Sequence, residues 1–284
     1  MASPAGVGGA SRPPAAAPRR RLTPRRRAQL KRQLAYAIGV VVLVAIVFSV
    51  DFGKIQENFL DGKIFKEQFR GVITIAAKNT IVYTLLSFLF GLPVALGVAL
   101  LRLSSIRPYR WLGTAYVELF RGLPALLTLI LVGYALPIGF GIRFPTVLGV
   151  PTAGIFGLGI VAAAYMAETI RAGIEAVPKG QMEAARSLGM GHGRAMLSIV
   201  IPQAFRVIVP PLTNEFVALI KDTSLVAVLG TTPATKELTK FGRDVSGDTF
   251  NSTPLLVVGL AYLVITIPLT RLVAQLEKRN QRSR

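Results

Sequence analysis

Hydrophobic and polar positions fall in long blocks along this chain, not in the alternation of period two that marks a half-buried strand. Leu34 to Val50 carries no charge and is just long enough to cross a bilayer as a helix. Asn79 to Leu101 is also free of charge, with Gly91, Pro93 and Gly97 expected to bend it and to let a neighbour approach closely. Gly122 to Ile142 makes a third apolar block and Ala153 to Ile174 a fourth. The fifth, Val207 to Leu229, is interrupted by Asn214, Glu215, Lys221 and Asp222, and Thr253 to Thr270 is the sixth. The pattern predicts an all-α, polytopic membrane helical bundle of about six transmembrane helices.

Between the fourth and fifth blocks lies YMAETIRAGIEAVPKGQMEAARSLGMGHGRAMLSIVIP, Tyr165 to Pro202. Pro178 suits the first turn of a helix, where its missing N–H costs nothing. Gly189 suits the left-handed residue that ends one. Lys179 to Leu188 therefore reads as a short helix carrying Glu183, Ala184 and Ala185, with a surface low enough for another protein's groove to close around it. A second short helix should follow the flexible Gly189–Gly193 and halt at Pro202.

The polar segments sort by charge. Arg102, Arg107 and Arg110 have no acid between them, and the loop 178–206, the tail LEKRNQRSR and the N-terminal arm are basic too. Six spans put all four on one side, which the positive-inside rule makes the cytoplasmic side, so both termini are expected there. Residues 51–70 mix both signs and read as a short outer loop. Residues 1–32, rich in Ala, Pro, Gly and Arg without apolar periodicity, read as a disordered basic cytoplasmic arm. Its triplets Arg19–Arg21 and Arg25–Arg27 set orientation or touch anionic lipid headgroups. The block after it is longer than a signal-peptide core, and VFSVDFG offers no small-x-small cleavage site, so it reads as an uncleaved anchor.

Of the 284 residues, 52% are hydrophobic and only 17% charged, and mean hydropathy is +0.53, too apolar for a soluble domain of this length. The net charge of +19 raises nucleic acid as a partner, but nine of the 33 basic residues precede residue 33 and most others flank apolar blocks. Membrane topology accounts for them, and no nucleic-acid partner is expected. The absence of cysteine excludes disulfides, thiolate metal sites and thiol catalysis. Gly53-Lys54 and Gly62-Lys63 lack the earlier glycine and following hydroxyl of a phosphate-binding loop, so the chain is not expected to bind ATP itself. His192, the only histidine, has no evident base, ligand or nucleophile beside it. No metal site, bound cofactor or catalytic residue is expected, and the chain does not read as an enzyme.

What remains are ionisable residues in or beside the spans, which lipid makes costly. Glu118 with Arg121 and Glu168 with Arg171 are spaced i,i+3 and read first as structural ion pairs at the membrane edge. Asn214 and Glu215 lie deeper. Positions 214, 218, 221 and 222 share a helix face with Glu215 at its edge; this stripe reads either as the lining of a polar pathway, with Lys221 and Asp222 at its outer mouth, or as a structural network that pins the helix to Glu118 or Arg121.

The loop resembles the cytoplasmic loop of importer permeases of the ABC transporter family: E-A-A, three residues, G, nine residues, I-x-L-P. Here the pattern runs Glu183, Ala184, Ala185, Gly189, Ile199, Ile201, Pro202, with Ile201 in place of leucine as its one departure. Four further stretches, VELFRGLP (117–124), AETIRAGI (167–174), KGQMEAARSLGM (179–190) and NEFVALIKDTSLVAVLG (214–230), are similar to the uptake permeases for polar amino acids such as histidine, glutamine, glutamate or arginine. Leu123 and Ala172 depart from that branch. The resemblance spans about residues 70 to 275 and leaves the arm and first span outside the usual five-span core.

The resemblance implies a type I importer permease with a MetI-like transmembrane domain over 71–275 and a coupling loop at 178–202. An additional helix and outer loop at 33–70 precede it, and a basic tail at 276–284 ends the chain. It implies a bacterial inner-membrane, multi-pass subunit that forms a homo- or heterodimer with a second permease subunit. A cytosolic ABC ATPase holding ATP and Mg would dock on Glu183, Ala184, Ala185, Gly189, Ile199 and Pro202. An extracellular or periplasmic amino-acid-binding protein would deliver the solute to a path drawn from Asn214, Glu215, Lys221, Asp222, Glu118 and Arg121. The competing classes are a secondary transporter or channel working without an ATPase, for which an inverted repeat would speak and none is found, and a membrane-anchored nucleic-acid binder.

Overall fold

The structure is a computed structural model that describes residues 24–281, and the chain divides after Gly53 into two compact units. In the first, α1 (Pro24–Ser49) exposes its apolar residues from Leu34 to Phe48, as a lipid-facing span would. Residues 24–32, expected to be irregular, instead extend this helix. Pro24 fits a first turn, and Arg, Ala, Gln, Leu and Lys are good helix formers whatever their charge. The rest of the expected arm, with Arg19–Arg21, lies outside the described residues.

The division falls inside α2 (Phe52–Phe59), which with α3 (Gly62–Gly71) stands where a mixed-charge loop was expected. Asp61 caps α3, its carboxylate accepting from the Lys63 and Ile64 N–H groups at 2.8 and 3.3 Å. The pair is held to the turn before the last helix: Ser252 N–H donates to the Asn58 carbonyl (2.7 Å) and Asp61 N–H to Thr253 Oγ1 (3.0 Å). A wide π-type turn, Val72–Ala77, leads into α4 (Lys78–Leu103), which passes Pro93 unbroken.

A break follows at Leu123 and Pro124, where the third apolar block begins. Helices α5 (Arg107–Gly122), α6 (Ala125–Ile130) and α7 (Leu136–Phe140), the last two joined by a π-type turn, form a pair bent by 104°. Five helical runs are long and apolar enough to cross a membrane among the described residues, six if the bent pair is one span. A two-residue hairpin, β1 (Thr146–Val147) with β2 (Val150–Pro151), turns through Leu148 and Gly149, both at positive φ as a type I′ turn requires.

The centre of the second unit is α4 packed on α8 (Thr152–Glu175). A Cβ at Gly91 would stand 2.8 Å from the Gly159 carbonyl oxygen and 2.9 Å from Met166 Cε, so the backbones meet where only glycine fits. Gly97 plays no such part, for nothing lies within 4 Å of where its Cβ would be. Short α9 (Lys179–Ser187) and α10 (His192–Ala195) follow, then a π-type turn at Met196–Val200 that runs into α11 (Ile201–Asp222). Pro202, expected to halt the second short helix, sits in the first turn of α11 and leaves the helical run intact. A 3₁₀ stretch at Thr223–Leu229 prolongs it, and α12 (Leu238–Thr249) and α13 (Thr253–Gln281) are the last helices among the described residues.

Three apolar clusters hold the unit together. Ala95, Val117, Met166, Ile170 and Ala204 gather toward the α9 end, Tyr83, Leu129, Leu158 and Val226 at mid-bundle, and Val72, Leu238, Phe241 and Val258 beside α12.

Candidate functional site

At one end of the bundle α9 is framed as a separate small element. Its last turn closes in a Schellman arrangement: Gly189, at φ +81°, donates its N–H to the Arg186 carbonyl (3.0 Å), and Met190 donates to that of Ala185 (3.1 Å). Nothing crowds Gly189, so the backbone conformation alone demands glycine. Ala185 is buried against the bundle, while Glu183, Ala184 and Leu188 are exposed and available to a partner. Gln203 donates to Gln181 Oε1 (3.3 Å), tying α11 back to α9. Ile199 is half-buried in the turn before α11 and Pro202 is exposed. Beside α9 opens a cleft of about 930 Å³ lined by Ile174, Glu175, Lys179, Met182, His192 and Met196. His192, expected to be a plain loop residue, begins α10 and forms part of that wall.

Along α8 a stripe of polar side chains runs toward this cleft. Tyr165, Glu168, Arg171 and Glu175 are spaced by three, three and four residues and therefore share a face. Arg171 donates to Glu168 Oε1 and to Glu175 Oε2, each at 2.5 Å, and Arg102 of α4 donates to Glu168 Oε2. The expected Glu168–Arg171 pair is thus the middle of a four-membered chain. Glu168 and Tyr165 also line an open cavity of about 770 Å³ with Arg102, Glu118 and Arg121. Glu118 and Arg121 share this cavity without forming an ion pair among the described residues. The Arg121 guanidinium lies over the Tyr165 ring, 5.3 Å from its centroid.

Past Tyr165 a narrow crevice, with room for little more than a water molecule, is lined by Leu158, Val161, Glu215, Leu219 and Asp222 among others. The face of α11 that meets α8 is therefore 215, 219 and 222, not the stripe through Asn214 and Lys221. Asn214 faces α13, its amide donating to Glu277 Oε1 at 3.4 Å, and Lys221 is exposed. The helical run continues past Lys221 and Asp222 to Leu229. Both faces of α11 carry polar residues, so only packing against α8 and α13 decides which one lines a cavity. That Arg102, Tyr165 and Glu168 wall one cavity escaped the sequence reading, although the i,i+3,i+4 stripe on α8 was a usable signal.

At the opposite end, α12 is secured by a buried acid. Glu237 accepts from the Lys240 and Thr239 N–H groups (2.6 and 2.7 Å) and from the Tyr262 hydroxyl (3.1 Å). Burial raises its pKa above the usual carboxylate range, and those donors only partly offset the rise. Asp244, between Lys236 (2.6 Å) and Lys240 (2.7 Å), is pushed up by partial burial but drawn further down by the two ammonium groups, ending below the usual range. No cluster of three or more His, Asp or Glu able to hold a metal ion occurs among the described residues.

This arrangement is that of a membrane transport subunit, and comparison with known proteins agrees. Residues 89–282 match the family model described as "Binding-protein-dependent transport system inner membrane component". The probable glutamine ABC transporter permease protein GlnM of Bacillus subtilis (strain 168) is 38% identical over 213 residues, 72% of this chain and 91% of that one. The arginine transport system permease protein ArgU of Corynebacterium glutamicum is 37% identical over 203 residues, 68% of this chain and 63% of that one. Among solved structures, an amino acid ABC transporter crystallised with histidines matches with TM-score 0.67 and 35% identity, over 76% of this chain and 96% of that one. The MetNI methionine ABC transporter matches at TM-score 0.58 and 20% identity, over 78% and 99%, a likeness of fold. The chain belongs to the family of binding-protein-dependent transport system inner membrane components. It is a multi-pass permease subunit of an ABC importer, a transport component and not an enzyme.

Proposed function

We propose that this permease carries neutral or cationic polar amino acids across the bacterial inner membrane and discriminates against acidic ones. The observation that carries the reading is the 770 Å³ cavity, walled by two arginines, Arg102 and Arg121, and two glutamates, Glu118 and Glu168. A zwitterion needs partners of both signs, and a cavity with equal numbers of each supplies them at low desolvation cost. The adjoining crevice adds the acids Glu215 and Asp222 and no cation to the field around the cavity, which favours solutes with an extra positive charge. Relatives named for glutamine, arginine and cystine support the same substrate class.

In this reading the α9 end is cytoplasmic, as are both termini. Glu183, Ala184 and Leu188 present α9 to the groove of a cytosolic ATPase, with Ala185, Gly189, Ile199 and Pro202 holding its shape. ATP and Mg bind that ATPase, a second permease subunit completes the pathway, and an extracellular binding protein delivers the solute at the α12 end. The test is reconstitution of the complex in liposomes with its ATPase and binding protein, followed by uptake of arginine, histidine, glutamine and glutamate. Expected are ATP-dependent uptake of members of the first three and little of glutamate, and loss of uptake in Gly189→Val, because a β-branched residue resists φ +81°. Glutamate uptake at the arginine rate would refute the substrate class, and full uptake by Gly189→Val the docking assignment.

A further inference from the structure

The ion chain on α8 joins two places that the transport cycle must connect. Glu168 is part of the wall of the 770 Å³ cavity, and Glu175 is part of the wall of the 930 Å³ cleft beside α9. Arg171 lines neither. Its guanidinium divides between them, Nη2 donating to Glu168 and Nη1 to Glu175. Only Ala176, Val177 and Pro178 separate Glu175 from the start of α9, and Val177 is buried, so the link is short and anchored.

We propose that Arg171 is a positioning residue for coupling: it transmits the state of the cavity, felt at Glu168, to the root of α9, felt at Glu175. The inference rests on the reading of the cavity as the solute's path and of α9 as the ATPase dock. Charges alternate along the chain as Arg102, Glu168, Arg171, Glu175. Glu168 thus shares one negative charge between two guanidiniums, each on a different oxygen. When a solute ammonium takes up Glu168, or α4 carries Arg102 away, the pull on Arg171 changes and its hold on Glu175 changes in the opposite sense. A spare donor exists for that second arrangement, since the Arg171 Nε–H is buried and has no acceptor here. The side chains of Arg102, Glu168 and Arg171 are 17%, 27% and 24% exposed, so these contacts are screened less than surface pairs. The linkage is reciprocal: displacement of α9 by the ATPase alters how Glu168 faces the cavity.

The test uses the full complex in liposomes and measures ATP hydrolysis with and without solute-loaded binding protein, and solute imported per ATP. In Arg171→Gln the stimulation factor should fall by at least about five-fold in complexes that still contain the ATPase, the low end of a coupling effect. Arg171→Lys, which keeps the charge, should recover part of it. Glu175→Gln, at the more exposed end (51%), should act in the same direction. The double variant should be no worse than the stronger single one, because both break one contact. Stimulation within about two-fold of wild type in assembled Arg171→Gln, or effects that multiply in the double variant, would overturn the proposal. Should Arg171→Gln fail to assemble, Glu175→Gln decides by the same thresholds. A wild-type complex that shows no ATPase association or stimulation refutes the functional reading itself, a result distinct from failure of the relay.

Discussion

Glu237 offers the sharpest test of how the α12 end is held. It is fully buried, and its carboxylate satisfies two backbone N–H groups and the Tyr262 hydroxyl. In Glu237→Ala the helix loses its cap, worth about 1 kcal/mol. Each buried donor left without an acceptor costs about 1–3 kcal/mol more. Removing the carboxylate also removes the penalty of burying it, so the net loss is about 3 kcal/mol. For a chain of this size that is a fall of about 6–12 °C in the apparent Tm. The assay is far-UV circular dichroism in one lipid nanodisc preparation at one scan rate, because such unfolding is rarely reversible. The pH dependence gives a second check. With its folded pKa raised, Glu237 binds more protons in the folded state, so stability falls as pH rises through the folded pKa and is fully present below about 4.3, the unfolded value. Wild type should therefore gain on Glu237→Gln as pH drops from 8 toward 5. Asp244 does not confuse the comparison. Its folded pKa is lowered, so its contribution is lost only below about 3.9, outside that window. A Glu237→Ala protein melting within about 2 °C of wild type, under conditions where 1 kcal/mol moves the transition by that much, would show that the cap carries no weight.

Two glycines six residues apart in α4 should respond oppositely to substitution. Gly91→Val, forced against the Gly159 carbonyl, should destabilise by about 1–3 kcal/mol. Gly97→Ala, with open space around it, should be neutral or gain up to about 1 kcal/mol of helix propensity, and equal effects in thermal melts would refute the packing described. Glu215→Gln should weaken the apparent uptake affinity for a cationic amino acid by about ten-fold, since one partly buried charge is lost near the solute. If it lowers only the melting temperature, with uptake kinetics per folded molecule unchanged, Glu215 is structural.

What could be read from the residues alone follows the range of the interactions involved. A helix, its cap and its last turn depend on neighbours within about six positions, so α8, α9, the left-handed Gly189 and most span limits were legible. The helices α2 and α3 were not, because charges of both signs over twenty residues hide a helical period whose apolar side is exposed in α2 and only partly buried in α3. Pro202 misled for a related reason: proline ends a helix or begins one, and the choice lay in the π-type turn before it.

The cavities belong to the other range. Their walls come from α4, α5, α6, α8 and α11, and no spacing within one helix shows which residues will face each other. Glu168 illustrates the limit. Its partner three residues on was visible in the sequence, whereas Arg102, 66 residues earlier, reaches it only because Gly91 and Gly159 let α4 and α8 touch. The same close approach therefore does two things at once. It builds the core of the bundle, and it sets the arginine of α4 beside the acid of α8, turning an ordinary i,i+3 pair into a chain of charges that runs from the cavity to the foot of α9.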